Sequence, residues 1–283
     1  MFRHDLLAGK RILITGGGTG LGKSIGRRYL ELGAQLIICG RRLEVLEASA
    51  GELAQETGGK VWALPCDIRD AASVDAMMEK IWAEGPLDVL VNNAADNFIA
   101  LTDRLSPRAI DAVLGIVLHG SFYCTVACGR RWIDAQRPGT VLSVATTPSF
   151  TGMAFTAPSA AAKAGIVAMT RSLAVEWGPH RIRLNAVAPG FFPTEGAWER
   201  LYPSGSQVEP QHLSVPLRRF GEHIELANLF AYLAADESSY ITGDLIVIDG
   251  GRWMQGVGGP SNRAMQDWTD AQWDNMRDAM GKR

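Results

Sequence analysis

The sequence predicts an α/β fold, one doubly wound, parallel, seven-stranded sheet with helices on both faces. Three observations predict it. Short apolar runs alternate with longer stretches of helical periodicity along most of the chain. A glycine-rich turn follows the first apolar run directly. The chain has 283 residues, 47% of them hydrophobic, which suffices for one sizeable core.

The apolar runs lie at 11–15, 35–39, 60–65, 87–92, 139–145, 181–188 and 244–248 and read as strands. Helical periodicity fills the gaps at 21–33, 43–57, 71–84, 107–135, 158–177 and 222–235. Short strands joined through helices make right-handed βαβ units and hence a parallel sheet. A ligand then binds at the carboxyl ends of the strands, near the point where strand order reverses. Residues 1–255 read as one domain and 256–283 as a tail. In the tail, Gly256 to Pro260 form a linker, and Trp268, Trp273 and Met276 mark a short amphipathic helix. Those tryptophans are expected to pack on the body or on a neighbouring subunit. Residues 190–218 break the alternation. They carry Gly190, Pro193, Gly196, Pro203, Gly205, Pro210 and Pro216, interleaved with Phe191, Phe192, Trp198 and Tyr202. A long loop of this composition reads as a lid over a substrate pocket.

Bulk properties narrow the function. A formal net charge of −2 gives no sign of nucleic-acid or membrane binding. No stretch approaches about 18 uninterrupted apolar residues, and residues 1–10 lack the apolar segment of a signal peptide. Cys39, Cys66, Cys124 and Cys128 show no C-x-x-C pair and no zinc spacing. No metal is expected, and buried free thiols in a reducing, cytoplasmic setting are.

Thr15 to Gly22 reads T-G-G-G-T-G-L-G, directly behind Ile12-Leu13-Ile14. The helical pattern Leu21, Ile25, Tyr29, Leu30, Leu32 comes next. Strand, glycine-rich turn and helix form the Rossmann device for holding a dinucleotide pyrophosphate. Gly16 turns the chain, Gly20 lets backbone approach phosphate, and Gly22 seats the helix on the strand. Gly18, Thr19 and Leu21 complete the cofactor-binding turn. The helix N-terminus offers free N–H groups and partial positive charge.

The second strand ends in Gly40-Arg41-Arg42. A chain that prefers NAD usually places Asp or Glu there, for the ribose 2′-hydroxyl. A guanidinium at Arg41 matches a 2′-phosphate instead, so the expected cofactor is NADP(H). The competing reading is an Arg pair that opens the next helix and pairs with Glu44 and Glu47. Asp67, after the third strand, is placed either to accept from the adenine amino group or to cap the next helix. Asn92-Asn93-Ala94-Ala95 closes the fourth strand, where an Asn amide can tie neighbouring strands together.

Together the glycine turn and this Asn motif resemble the short-chain dehydrogenase/reductases over nearly the whole chain. The resemblance extends to Pro189-Gly190 and Thr194, where the family holds the nicotinamide end, and to Asp249-Gly250-Gly251. It implies cofactor contacts from Asn93, Ala94, Pro189, Gly190, Phe192 and Thr194. A closer likeness is to the 2,4-dienoyl-CoA reductases. Asn92 to Phe98, Leu105-Ser106-Pro107, Pro158 to Gly165, Gly196-Ala197-Trp198 and Trp268 to Asp274 carry it. It implies NADPH-dependent reduction of a conjugated acyl-CoA in fatty acid β-oxidation by a homotetramer. By the same resemblance, Arg69, Phe98, Ser106 and Arg200 match substrate-contacting positions.

Most of the superfamily places Tyr four residues before the helix lysine. Here Ser159 precedes Lys163, and no tyrosine occurs between Tyr123 and Tyr202. The Ser usual before that Tyr is replaced by Thr146. The dienoyl-CoA reductases resemble this chain in having Ser at the Ser159 position. Their mitochondrial form has a catalytic Tyr elsewhere, at a position that falls here on Pro148, and their peroxisomal branch lacks it. Hydride addition to the far end of a conjugated thioester sends charge to the thioester oxygen, which needs hydrogen-bond donors rather than a phenol. Asn97 matches the family's oxyanion-contacting Asn, with Asp96 in place of the usual Gly; its alternative role is a turn residue. Lys163 matches the lysine that bonds the nicotinamide ribose. Ser159 either contacts ligand or caps its helix. His119 stands where the superfamily commonly has Asn, either as a proton donor near neutral pH or as a buried, bonded ring. Two other readings remain open. One is a carbonyl reductase whose proton donor has moved to His119 or Thr146; the other is an inactive NADP(H)-binding protein.

Overall fold

The computed structural model describes residues 2–194, 211–257 and 264–281. Seven parallel strands form one sheet in the order β3-β2-β1-β4-β5-β6-β7. They are β1 (Arg11–Thr15), β2 (Gln35–Gly40), β3 (Val61–Pro65), β4 (Val89–Asn92), β5 (Gly139–Val144), β6 (Ile182–Pro189) and β7 (Leu245–Ile248). Each lies within two residues of its expected run. Successive side chains of a strand point to opposite faces, and the core divides accordingly. Ile12 and Ile14 of β1 join Leu36, Ile38, Val89, Val91 and Leu142 on one face. Leu13 joins Ile37, Cys39, Leu90 and Val141 on the other.

The first face is covered by α1 (Gly20–Glu31), α2 (Leu43–Thr57) and α8 (His223–Ala234). The second is covered by α3 (Ala71–Glu84), α5 (Gly120–Asp134) and α7 (Ala157–Trp177). The expected helix over 107–135 is a continuous helical run in three parts. A π-helical turn, Gly115–His119, separates α4 (Pro107–Leu114) from α5. By length and a mean hydropathy of 1.6, the run Pro107–Asp134 is apolar enough to cross a membrane. In the fold, more than half of its most apolar stretch is buried. Cys124, Cys128 and Trp132 are fully buried there, and the Trp132 indole donates to the Leu87 carbonyl at 2.7 Å.

Two short helices escaped the sequence reading: α6 (Pro148–Thr151) and α9 (Arg252–Val257). The tail helix is α10 (Asp270–Gly281). Trp268 and Trp273 meet in a tilted pair at 4.9 Å between centroids; Trp268 is half-buried and Trp273 exposed. The tail joins the body through Arg218 to Asp267 at 2.6 Å and Gln255 to Gln266 at 2.8 Å. All four cysteines are buried and free. Burial raises each thiol's pKa.

Candidate active site

Strand order reverses between β1 and β4, and the strands' carboxyl ends open there into a cleft of about 590 Å³. The glycine-rich turn forms its floor. Gly16 holds φ at +66°, and a Cβ there would lie 2.9 Å from the Ala94 Cα; only glycine meets both conditions. A Cβ on Gly22 would lie 2.5 Å from the Asn93 amide nitrogen, so α1 rests directly on the end of β4. Asn93 Nδ2 donates to the carbonyls of Thr15 at 2.9 Å and Gly16 at 3.1 Å. The Thr15 hydroxyl accepts from the backbone N–H groups of Asn93 and Ala94, each at 3.0 Å. Asn92 Nδ2 donates to Thr125 at 2.9 Å and to Ser143 at 3.4 Å. These bonds bind the ends of β1, β4 and β5 together, as an amide at that strand end was expected to do.

Gly16, Gly18, Thr19, Leu21, Asn93, Ala94, Pro189, Gly190, Phe192 and Thr194 all line the cleft. Gly20 and Gly22 are not part of that lining: a Cβ on Gly20 would stand 3.5 Å from the Thr194 methyl, and Gly22 seats α1 on the end of β4. At the β2 end, Arg41 and Arg42 line it and are exposed. Among the described residues neither forms an ion pair with Glu44 or Glu47. Asp67 also lines the cleft. Its carboxylate is gripped by Arg69, with Nη2 at 2.5 Å and Nε at 2.9 and 3.0 Å, and this bond holds the carboxyl below its usual value. The cap of α3 is Asp70, which accepts from the Ala72 N–H at 3.0 Å, so Asp67 has no capping role.

Toward β5, the cleft is lined by Thr146, Pro148, Ser159 and Lys163, with Asn97 from the loop after β4. Lys163 is 7% exposed and donates to the Val144 carbonyl. Burial lowers its pKa from 10.5 to about 8. Ser159 lies inside α7, whose N-cap position is Thr156, so it is not a cap. Asn97 Oδ1 accepts from the Phe98 N–H at 2.9 Å, which leaves the Nδ2 donors for a ligand. Asp96 Oδ1 accepts from the Asn97 N–H at 3.0 Å, so the acidic side chain braces this loop. Among the described residues no tyrosine lines the cleft.

Several expected site residues stand outside the cleft lining. His119 is exposed, beside Tyr123 and outside the cleft lining; the π turn points Ile116, not His119, into the cleft. It is therefore not a buried ring. Phe98 packs with Val113, Val117 and Ala162 in a small core cluster. Ser106 caps α4, accepting from the Ala109 N–H at 3.2 Å. Arg69 is committed to Asp67 and does not line the cleft. Arg200 and residues 195–210 of the expected lid lie outside the described residues. Ile99, Met153 and Arg252 line the cleft without having been foreseen, and Phe191, foreseen only as part of the lid loop, lines it too. Arg252 lies 4.1 Å from the centroid of the Phe191 ring. Its position just after Asp249-Gly250-Gly251 at the end of β7 was the available signal; Ile99 and Met153 carried none.

Comparison with known proteins agrees with this geometry. The family model described as Enoyl-(Acyl carrier protein) reductase matches residues 16–252. A probable 2,4-dienoyl-CoA reductase, (2E)-enoyl-CoA-producing, of Bacillus subtilis is 43% identical over 247 residues, 87% of this chain and 97% of that protein. A short chain dehydrogenase from Bacillus anthracis superposes with a TM-score of 0.78 at 38% identity, covering 86% of this chain and 96% of the other. A gluconate 5-dehydrogenase from Burkholderia cenocepacia, solved with NADP and tartrate, gives a TM-score of 0.82 at 28% identity, with 89% and 98% covered. The parallel sheet, the glycine-turn cleft and these matches together make this chain a member of the short-chain dehydrogenase/reductase family.

Proposed function

We propose that this protein is an NADPH-dependent reductase of a conjugated unsaturated acyl-CoA, of the 2,4-dienoyl-CoA type. The observation that carries the proposal is the make-up of the reacting end, where Lys163, Asn97, Thr146 and Ser159 line the cleft and no described tyrosine does. The cleft's own features support a dinucleotide: it holds about 590 Å³ and is lined at one end by Gly16, Gly18 and Thr19 of the glycine-rich turn. At the β2 end Arg41 supplies a guanidinium that suits a 2′-phosphate. When bound, NADPH supplies the hydride. The glycine turn and the α1 N-terminus would hold its pyrophosphate. Arg41 would hold the 2′-phosphate and Asp67 the adenine. Lys163, Pro189, Gly190 and Thr194 would hold the nicotinamide end.

The chain's own groups suit a developing dienolate. Negative charge on the thioester oxygen would be met by Asn97 Nδ2, by the hydroxyls of Thr146 and Ser159, and by the positive field of Lys163. Water would deliver the proton to carbon. A ketone-derived alkoxide needs a proton at oxygen itself, and no described phenol is there to give it. The name of the Bacillus subtilis relative supports the same substrate class, and the Burkholderia structure solved with NADP supports the cofactor. We extend the proposal to a homotetramer. The apolar side chains Phe122 and Tyr123 on α5 and Val175 on α7 are exposed in the single chain, which suits a face covered by another copy. Four free cysteines suit a reducing, cytoplasmic setting.

The test is NADPH oxidation by the purified protein with 2,4-dienoyl-CoA of several chain lengths, beside a panel of ketones. The proposal expects turnover of the dienoyl thioesters. Turnover of ketones alone would overturn it in favour of a carbonyl reductase. Tight NADPH binding with no oxidation would overturn it in favour of an inactive binder.

A further inference from the structure

None of the roles above uses His223. It is the first residue of α8, next to a capping box formed by Glu222 and Glu225. Its ring joins two cofactor-facing segments. Nδ1 lies 2.7 Å from the Ser24 hydroxyl and Nε2 lies 2.8 Å from the Pro193 carbonyl oxygen. A carbonyl only accepts, so Nε2 carries the proton; in the neutral ring Nδ1 then accepts from Ser24. Ser24 sits one turn into α1, and its hydroxyl also lies 3.2 Å from the Gly20 carbonyl. Pro193 has no N–H, so its carbonyl is the only backbone handle by which that residue can be held.

The neighbouring geometry gives this bridge a consequence. Thr194, the next residue, meets the glycine-rich turn; a Cβ on Gly20 would stand 3.5 Å from its methyl. Thr194, Gly18 and Thr19 line the same cleft. We propose that His223 is a positioning residue for the dinucleotide. It clamps the Pro193 carbonyl to α1 and thereby fixes Thr194 against the pyrophosphate turn before the cofactor arrives. Pre-forming the site spares the binding step the entropy of ordering this segment.

Two variants separate the bonds. Gln reaches about as far as Nε2, and Asn about as far as Nδ1. His223→Gln therefore keeps the Pro193 bond, while His223→Asn keeps only the Ser24 bond. The experiment is a fluorescence titration of the full-length protein with NADPH and with NADH, read as the dissociation constant of whichever binds wild type more tightly. His223→Asn should weaken it about tenfold, the worth of one hydrogen bond, and His223→Gln by less than about twofold. Thermal unfolding without dinucleotide accompanies the titration. A packing role alone would lower stability in both variants and leave their dissociation constants equal. Equal constants, or no dinucleotide binding by wild type, overturn the proposal. The titration needs no substrate, so its outcome is separate from that of the acyl-CoA reading.

Discussion

Lys163 places an ammonium in the cleft lining, 7% exposed, with the Val144 carbonyl as acceptor. Lys163→Met keeps the side chain's length and removes the charge. Burial holds the folded-state pKa at about 8 against 10.5. Between those values the unfolded chain binds more protons than the folded one, so stability rises with pH across this window. At pH 7 both states are charged and the folded state carries the whole cost of burial. By pH 10 the folded state has released its proton and most of the cost is gone. The full gap corresponds to about 3 kcal/mol, of which about 2 kcal/mol is recovered between pH 7 and 10. The methionine variant should lack this rise. At pH 7 it should be close to wild type, because the lost bond to a charged group, roughly 1.5–3 kcal/mol, is offset by the relieved burial. The assay is urea unfolding of the dinucleotide-free protein at four pH values from 7 to 10. Parallel curves for the two proteins would refute the reasoning.

Single contacts give the other expected outcomes. Arg41→Ala should weaken NADPH binding roughly 10- to 100-fold, as loss of a charge-assisted bond predicts, and leave NADH binding nearly unchanged in the same titration. Asn97→Ala should lower kcat on a dienoyl thioester about 10²- to 10³-fold, the usual cost of one oxyanion donor, with the NADPH dissociation constant unaltered. Gly22→Ala forces a methyl to within 2.5 Å of the Asn93 amide nitrogen. It should cost about 1–3 kcal/mol, seen as a lower urea midpoint.

The sheet was legible because each strand is a short apolar run bounded by polar or glycine residues, and β1 to β7 all stand where those runs lie. The glycine turn was legible because its residue types are dictated by steric contact, as Gly16 and Gly22 show. Side-chain direction was harder. A π turn carries an extra residue and rotates the residues after it out of helical phase, yet the apolar pattern runs unbroken through 107–135. Resemblance put His119 at the position of the superfamily's Asn, whereas Ile116 is the residue of this turn that lines the cleft. Ser106 and Arg69, matched to substrate contacts through resemblance, also carry local roles that their neighbours announce. Ser before Pro107 at a helix start is a cap signal, and Asp67-x-Arg69 is a ready ion pair. The clamp by His223 joins residues 199 and 30 positions apart in sequence, and no local pattern announces it.

The claim that the pocket stabilises a dienolate is tested most directly by isotope placement. A 2,4-dienoyl-CoA is turned over with NADPH deuterated at the nicotinamide C4, and the product is read by NMR. The prediction is deuterium at the distal carbon of the former conjugated system, with the second hydrogen drawn from solvent. Deuterium on the carbinol carbon of an alcohol, or in no product at all, would contradict it.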